Sequence, residues 1–172
     1  YLCLLYYYHG EYFSKSGDDI KISINKMSIC KISSISGYNN TSYGSVWIPS
    51  TQSLIAKWSL FINNINDANT TSVGNVWICI VSKDNRVNSD CSTNNDRPNY
   101  SFSNNQHVFL CGKGSTMNMV KFNQNDHVQI TLNMKLGVIQ FKKNDENDIV
   151  LFKDIERGDK VKYKFAVQLY AK

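Results

Sequence analysis

The chain has 172 residues, 42% of them apolar and 19% charged, and a formal net charge of +5. That length fits one domain, and a chain of this size can bury about 70% of the surface its unfolded form exposes, so no disulfide or metal is needed to fold it. The composition excludes disordered and coiled-coil chains, and 35 Ile, Val and Thr residues against 4 Ala and 10 Leu exclude a mostly helical one.

In chain order, residues Tyr1 to Tyr8 form a short apolar run. A membrane-spanning helix needs about 20 such residues. No basic residue precedes the run and no small-residue cleavage site follows it, so neither a span nor a signal peptide is expected. The start at Tyr1 rather than Met suggests a piece of a longer protein. Residues 1–13 are expected to form an arm or leading strand, and residues 14–172 the folded domain.

Short segments of two-residue period follow. Ile20, Ile22 and Ile24 alternate with polar residues, and so do Trp58, Leu60 and Ile62. Such alternation puts one face of a strand in a core and the other in water. Between these two segments, Gly37 to Ser45 is polar and reads as a loop carrying Tyr38 and Tyr43. Val76 to Val81 is apolar throughout, as a central strand covered on both faces would be. Asp84 to Asn99 is a long polar segment with Arg86 and Arg97, and loops of that length in compact domains are usually functional or disordered. Tyr100 and Phe102 stand at its end.

The C-terminal part is the most regular. Val128, Ile130, Leu132 and Met134 alternate with polar partners, and Lys135-Leu136-Gly137 predicts a tight hairpin with Gly137 at positive φ. Asn144 to Asn147 predicts a second hairpin loop, and Arg157-Gly158-Asp159 precedes a last strand with Tyr163, Phe165, Val167 and Leu169 on one face. Many short strands separated by turn residues predict an all-β, two-sheet antiparallel sandwich.

The five cysteines are irregularly spaced and odd in number. They do not read as a disulfide framework. Cys79, inside the apolar run, is expected to be a small buried hydrophobe, and an intracellular, cytoplasmic setting follows. Sequons at Asn39, Asn40, Asn69 and Asn99 are what an Asn- and Ser-rich chain produces by chance.

One stretch resembles a known family. Asp126, Leu132, Gly137, Phe141 and Asn144 fall in the order and spacing of the hallmark segment of SPRY (B30.2-like) domains. Trp58 to Ile62, Gly74 to Ile80 and Tyr163 to Leu169 are similar to the family's other strands. The sequence departs from the pattern at Asn125, where the family has Gly, at Asn133 for Asp, at Cys79 for a strand Gly, and at Asp145 in the Asn-Gly turn. The resemblance implies a bent jelly roll of concanavalin-like type. It also implies a protein- or peptide-recognition module without catalytic residues, often the substrate-selecting part of a ubiquitin ligase or a scaffold. A site must still be argued from residues.

Other chemistries fit poorly. Gly112 to Thr116 lacks the spacing of a phosphate loop and reads as a hairpin loop. Cys91, His107 and Cys111 lack the close pairs of a zinc site, and Asp145 to Asp148 lacks the EF-hand pattern. There is no nucleophile elbow. Lys160, Lys162 and Lys164 alternate along one strand beside Asp154, Glu156 and Asp159, which reads as a solvated strand edge rather than a nucleic-acid patch. No enzyme activity, cofactor, metal, nucleic acid or membrane partner is expected.

The expected contact residues are therefore Tyr38, Tyr43, Arg86, Arg97, Tyr100 and Phe102, because aromatic and arginine side chains dominate binding hot spots. For Tyr100 and Phe102 packing on a core face is the competing reading, and for the others an ordinary surface. Trp58 and Trp77 read as core. The chain is expected to act as a monomer or as part of a larger protein. A glycan-binding, lectin-like sandwich is the alternative function.

Overall fold

A computed structural model describes residues 13–16, 20–24, 29–31, 41–63, 75–82, 99–110, 113–116 and 121–170. The strands are β1 (Phe13–Ser16), β2 (Ile20–Ile22), β3 (Ile29–Lys31), β4 (Thr41–Gly44), β5 (Ile48–Pro49), β6 (Ile55–Phe61) and β7 (Asn75–Val81). They continue with β8 (Asn99–Ser103), β9 (His107–Leu110), β10 (Lys113–Thr116), β11 (His127–Asn133), β12 (Val138–Lys143), β13 (Ile149–Phe152) and β14 (Lys162–Tyr170). No helix occurs among the described residues, and therefore none long and apolar enough to cross a membrane.

Two antiparallel sheets face each other. The larger runs β1-β4-β14-β7-β8-β9-β10, with β5 paired to the start of β14. The smaller runs β13-β12-β11-β6, and β2 and β3 form a separate hairpin. In the smaller sheet Ile130 lies opposite Trp58 on one side and Phe141 on the other, so the two-residue period brings all three to one face. The larger sheet presents Phe102, Ile78, Val167 and Phe165 to the same core. Aromatic contacts join the layers. Trp58 stacks on Phe165 with centroids 5.4 Å apart, and Phe102 meets Phe141 edge-on at 5.4 Å. Each such pair adds roughly 0.5–1.5 kcal/mol beyond the area it buries.

The larger sheet is buried on its other face as well. Cys79 lies opposite Ala166 on β14 and Ser101 on β8, and Ala166 lies opposite Tyr43 on β4. Tyr43, Cys79, Val81 and Ala166 form a second buried cluster, with the half-buried Trp77 against it. This is why Val76 to Val81 carries apolar residues at consecutive positions.

Four expectations need correction. Tyr43 is on a strand, not a loop: β4 is held by backbone ladders to β1 and β14, and Thr41 and Ser42 are buried although polar, so no alternation marked it. Lys113–Thr116 is a strand paired to β9 rather than a hairpin loop. The lysine series is not a strand edge: β14 is central, Lys160 precedes it, and Lys164 is only 5% exposed. The Nζ atoms of Lys162 and Lys164 lie 4.7 and 4.4 Å from the centroid of the Trp47 ring, whose face attracts cations. Finally, Cys79 is not a plain thiol but half of a disulfide.

Candidate functional site

One end of the sandwich is built by the β11–β12 hairpin and the segment leading into β14. Gly137 turns the hairpin with φ +69°, a backbone conformation that glycine adopts at little cost. Its N–H donates to Asn133 O at 2.8 Å, and Leu136 N–H donates to Asn133 Oδ1 at 3.0 Å. Gly137 O accepts from Ile155 N at 3.2 Å, which ties the hairpin to the segment after β13. The Arg157 guanidinium lies over the glycine and reaches Lys135 O at 3.4 Å.

The rest of that segment is pinned from the larger sheet. The Tyr100 hydroxyl accepts from Glu156 N at 3.2 Å, and the Tyr163 hydroxyl donates to Glu156 O at 2.8 Å. Ser50 Oγ accepts from Gly158 N and donates to Gly158 O, both at 3.0 Å. The outcome is a fixed platform with one large apolar side chain on it: Leu136 is 66% exposed beside the exposed Arg157 and Lys135. Among the described residues no cluster of metal-ligating side chains occurs.

The expected contact residues divide. Tyr43, Tyr100 and Phe102 are buried, and the last two belong to the inter-sheet core, so the packing reading of that strand face is the correct one. Tyr100 bears on the platform only from below, through its hydroxyl. Tyr38, Arg86 and Arg97 lie outside the described residues. Their flanking strands are described. Val81 and Asn99, which bracket the Arg86–Arg97 segment, sit by Lys164 at the start of β14, next to Tyr100. Thr41, which follows the Tyr38 segment, pairs with Gln168 towards the other end of β14. Leu136, Arg157 and Trp47 were not marked from the sequence. An apolar residue at the tip of a polar turn was the available signal for Leu136.

The opposite corner explains the hallmark residues. Asp126 Oδ2 accepts from Asn123 N at 2.7 Å and Oδ1 from Asn144 Nδ2 at 2.9 Å, while Asn144 Oδ1 accepts from His127 N at 2.8 Å. Asn125 and Asn144 stand at φ +68° and +50°, left-handed values that Asn tolerates better than most residues. Asn125 can therefore stand where the SPRY pattern has Gly.

No family model and no curated protein matches the sequence. Solved structures do match. The SPRY domain of human HERC1 aligns with TM-score 0.54 and 19% identity over 76% of this chain and 82% of that one. The NEUZ (NHR) domain of Neuralized from Drosophila melanogaster gives 0.60 and 14% over 94% and 86%. The TRIM65 PSpry domain gives 0.60 and 7% over 95% and 91%. The chain has a SPRY-like fold.

Proposed function

We propose that this chain is a non-catalytic protein- or peptide-recognition module, serving as the substrate-selecting or scaffold part of a larger protein such as a ubiquitin ligase. The observation that carries the reading is the platform at the Gly137 end, where Leu136 stands 66% exposed on backbone fixed from both sheets. The SPRY-like fold supports it, since that architecture frees end loops from the work of holding the core. Val81 and Asn99, which flank the segment carrying Arg86 and Arg97 in sequence, lie towards the same end, and Arg86, Arg97 and Tyr38 are proposed as further contacts.

The test is selection from a random peptide library on the immobilised chain, followed by affinity measurement on the enriched peptides. Removing Leu136, Arg86 and Arg97 together should weaken binding at least about tenfold, the scale of a hot-spot loss. Binding unchanged in a folded triple variant would move the site elsewhere.

A further inference from the structure

The outer face of the smaller sheet meets the recognition platform at Leu136. We infer, granting the recognition reading above, that the contact surface continues from Leu136 along this face, and that its ligand is an acidic peptide bearing large apolar residues.

Strand register fixes what the face carries. Trp58, Ile130 and Phe141 point into the core, so the alternate residues of β6, β11 and β12 point out. At the hairpin end Asn133 lies between Ile55 and Val138. Ile55 is 42% exposed, Val138 is half-buried, and Leu136 stands two residues before Val138 at the tip. Neighbouring strands are about 4.8 Å apart, so a few residues of peptide span all three apolar side chains. In the next row Thr131 lies opposite Lys57. Thr131 and Asn133 are short and buried, and they floor a shallow strip between β6 and β12.

Charge selects the ligand. No outward position of β6, β11 or β12 holds a carboxylate, whereas two of them hold Lys57 and Lys142. Among the described residues neither lysine has an ion-pair partner, nor has Lys135 at the tip, while Lys143 is paired with Glu146 at 3.1 Å. The tip is mixed, since Asp154 and Glu156 accompany Lys135 and Arg157 in this part of the fold. The face beyond it carries only positive charge. Carboxylates of a peptide lying along the strip give these lysines partners, and its apolar side chains cover Ile55 and Leu136. Exposed ion pairs add little affinity each and act mainly on orientation and association rate, so the apolar contacts hold the ligand.

Peptides enriched from a random library on the immobilised chain provide the test. The enriched sequences are expected to carry Asp or Glu beside Leu, Ile, Phe or Trp. Against the tightest of them, Ile55→Ser and Lys57→Glu should each raise Kd at least about fivefold. Phe61→Asp, at the other end of β6, should leave Kd within about twofold. Raising salt from about 0.05 to 0.5 M should weaken binding to the parent chain at least about threefold, because screening then acts over a few ångströms. Should a variant misfold, that titration and the same peptide with Asp and Glu replaced by Asn and Gln decide the matter on the unaltered chain. Binding lost in Leu136→Asp but unchanged in Ile55→Ser and Lys57→Glu would confine the contact to the tip, overturning the extension and sparing the recognition reading. Binding unchanged in all three would overturn both. Enriched peptides free of acidic residues, or binding indifferent to salt, would overturn the ligand class. So would a chain that selects no peptide yet sediments with phosphatidylserine vesicles through Ile55 and Lys57.

Discussion

Substituting Gly137 by Ala tests the platform at its hinge. Two costs arise, and the structure separates them. The backbone stands at φ +69°, where a Cβ costs about 1–2 kcal/mol. The added Cβ would also lie 2.6 Å from Arg157 Nη2, but that atom ends a long, exposed side chain and can swing away. Its weak 3.4 Å contact to Lys135 O would go with it, a small loss at the surface. The expected sum is about 1–2 kcal/mol, dominated by the backbone. For a chain of this length that is roughly 2–8 °C in Tm. Urea unfolding of the single variant, Arg157→Ala and the double variant separates the terms: deleting Arg157 should relieve little of the Gly137→Ala cost. A single variant within 0.5 kcal/mol of the parent, or nearly full rescue by Arg157→Ala, would refute the reasoning.

Asn125→Ala should cost about 1 kcal/mol, because Ala tolerates φ +68° less well than Asn, while Asn125→Gly should be neutral or stabilising; thermal melts of the pair check both. Ser101→Ala should leave stability unchanged or raise it by up to about 1 kcal/mol, since its buried Oγ has no hydrogen-bond partner among the described residues, and a clear loss by urea unfolding would contradict that. Phe141→Ala should cost about 3–5 kcal/mol by removing a fully buried ring in contact with Phe102 and Phe122; a loss under 1 kcal/mol would mean the sheets do not meet there.

The smaller sheet was legible because sequence and packing speak the same language there. Val128, Ile130, Leu132 and Met134 alternate, Gly137 marks the turn, and the register follows from both. The SPRY resemblance rested on the same residues, and the fold it implied is the one observed. The larger sheet was only partly legible. β4 and β10 are short and polar, and their strand character comes from neighbours rather than from pattern. Lys164 is buried with its Nζ 4.4 Å from the ring of Trp47, a residue distant in sequence and marked by no spacing rule. Cys79 misled because an apolar run explains a buried cysteine equally well with or without a bond, and only proximity in space distinguishes the two. Of the expected contact residues, the aromatic ones at Tyr43, Tyr100 and Phe102 serve packing, since large rings bring as much to a core as to an interface.

The most direct measurement of the recognition proposal is calorimetric titration of a library-selected peptide against the parent chain and Leu136→Asp. A charge placed at this exposed turn leaves the core untouched, so unfolding should stay within about 0.5 kcal/mol of the parent. The predicted result is a Kd raised at least about tenfold at unchanged stability. Identical affinity in the two proteins would contradict the proposal that this end of the sandwich is where the chain takes hold of its partner.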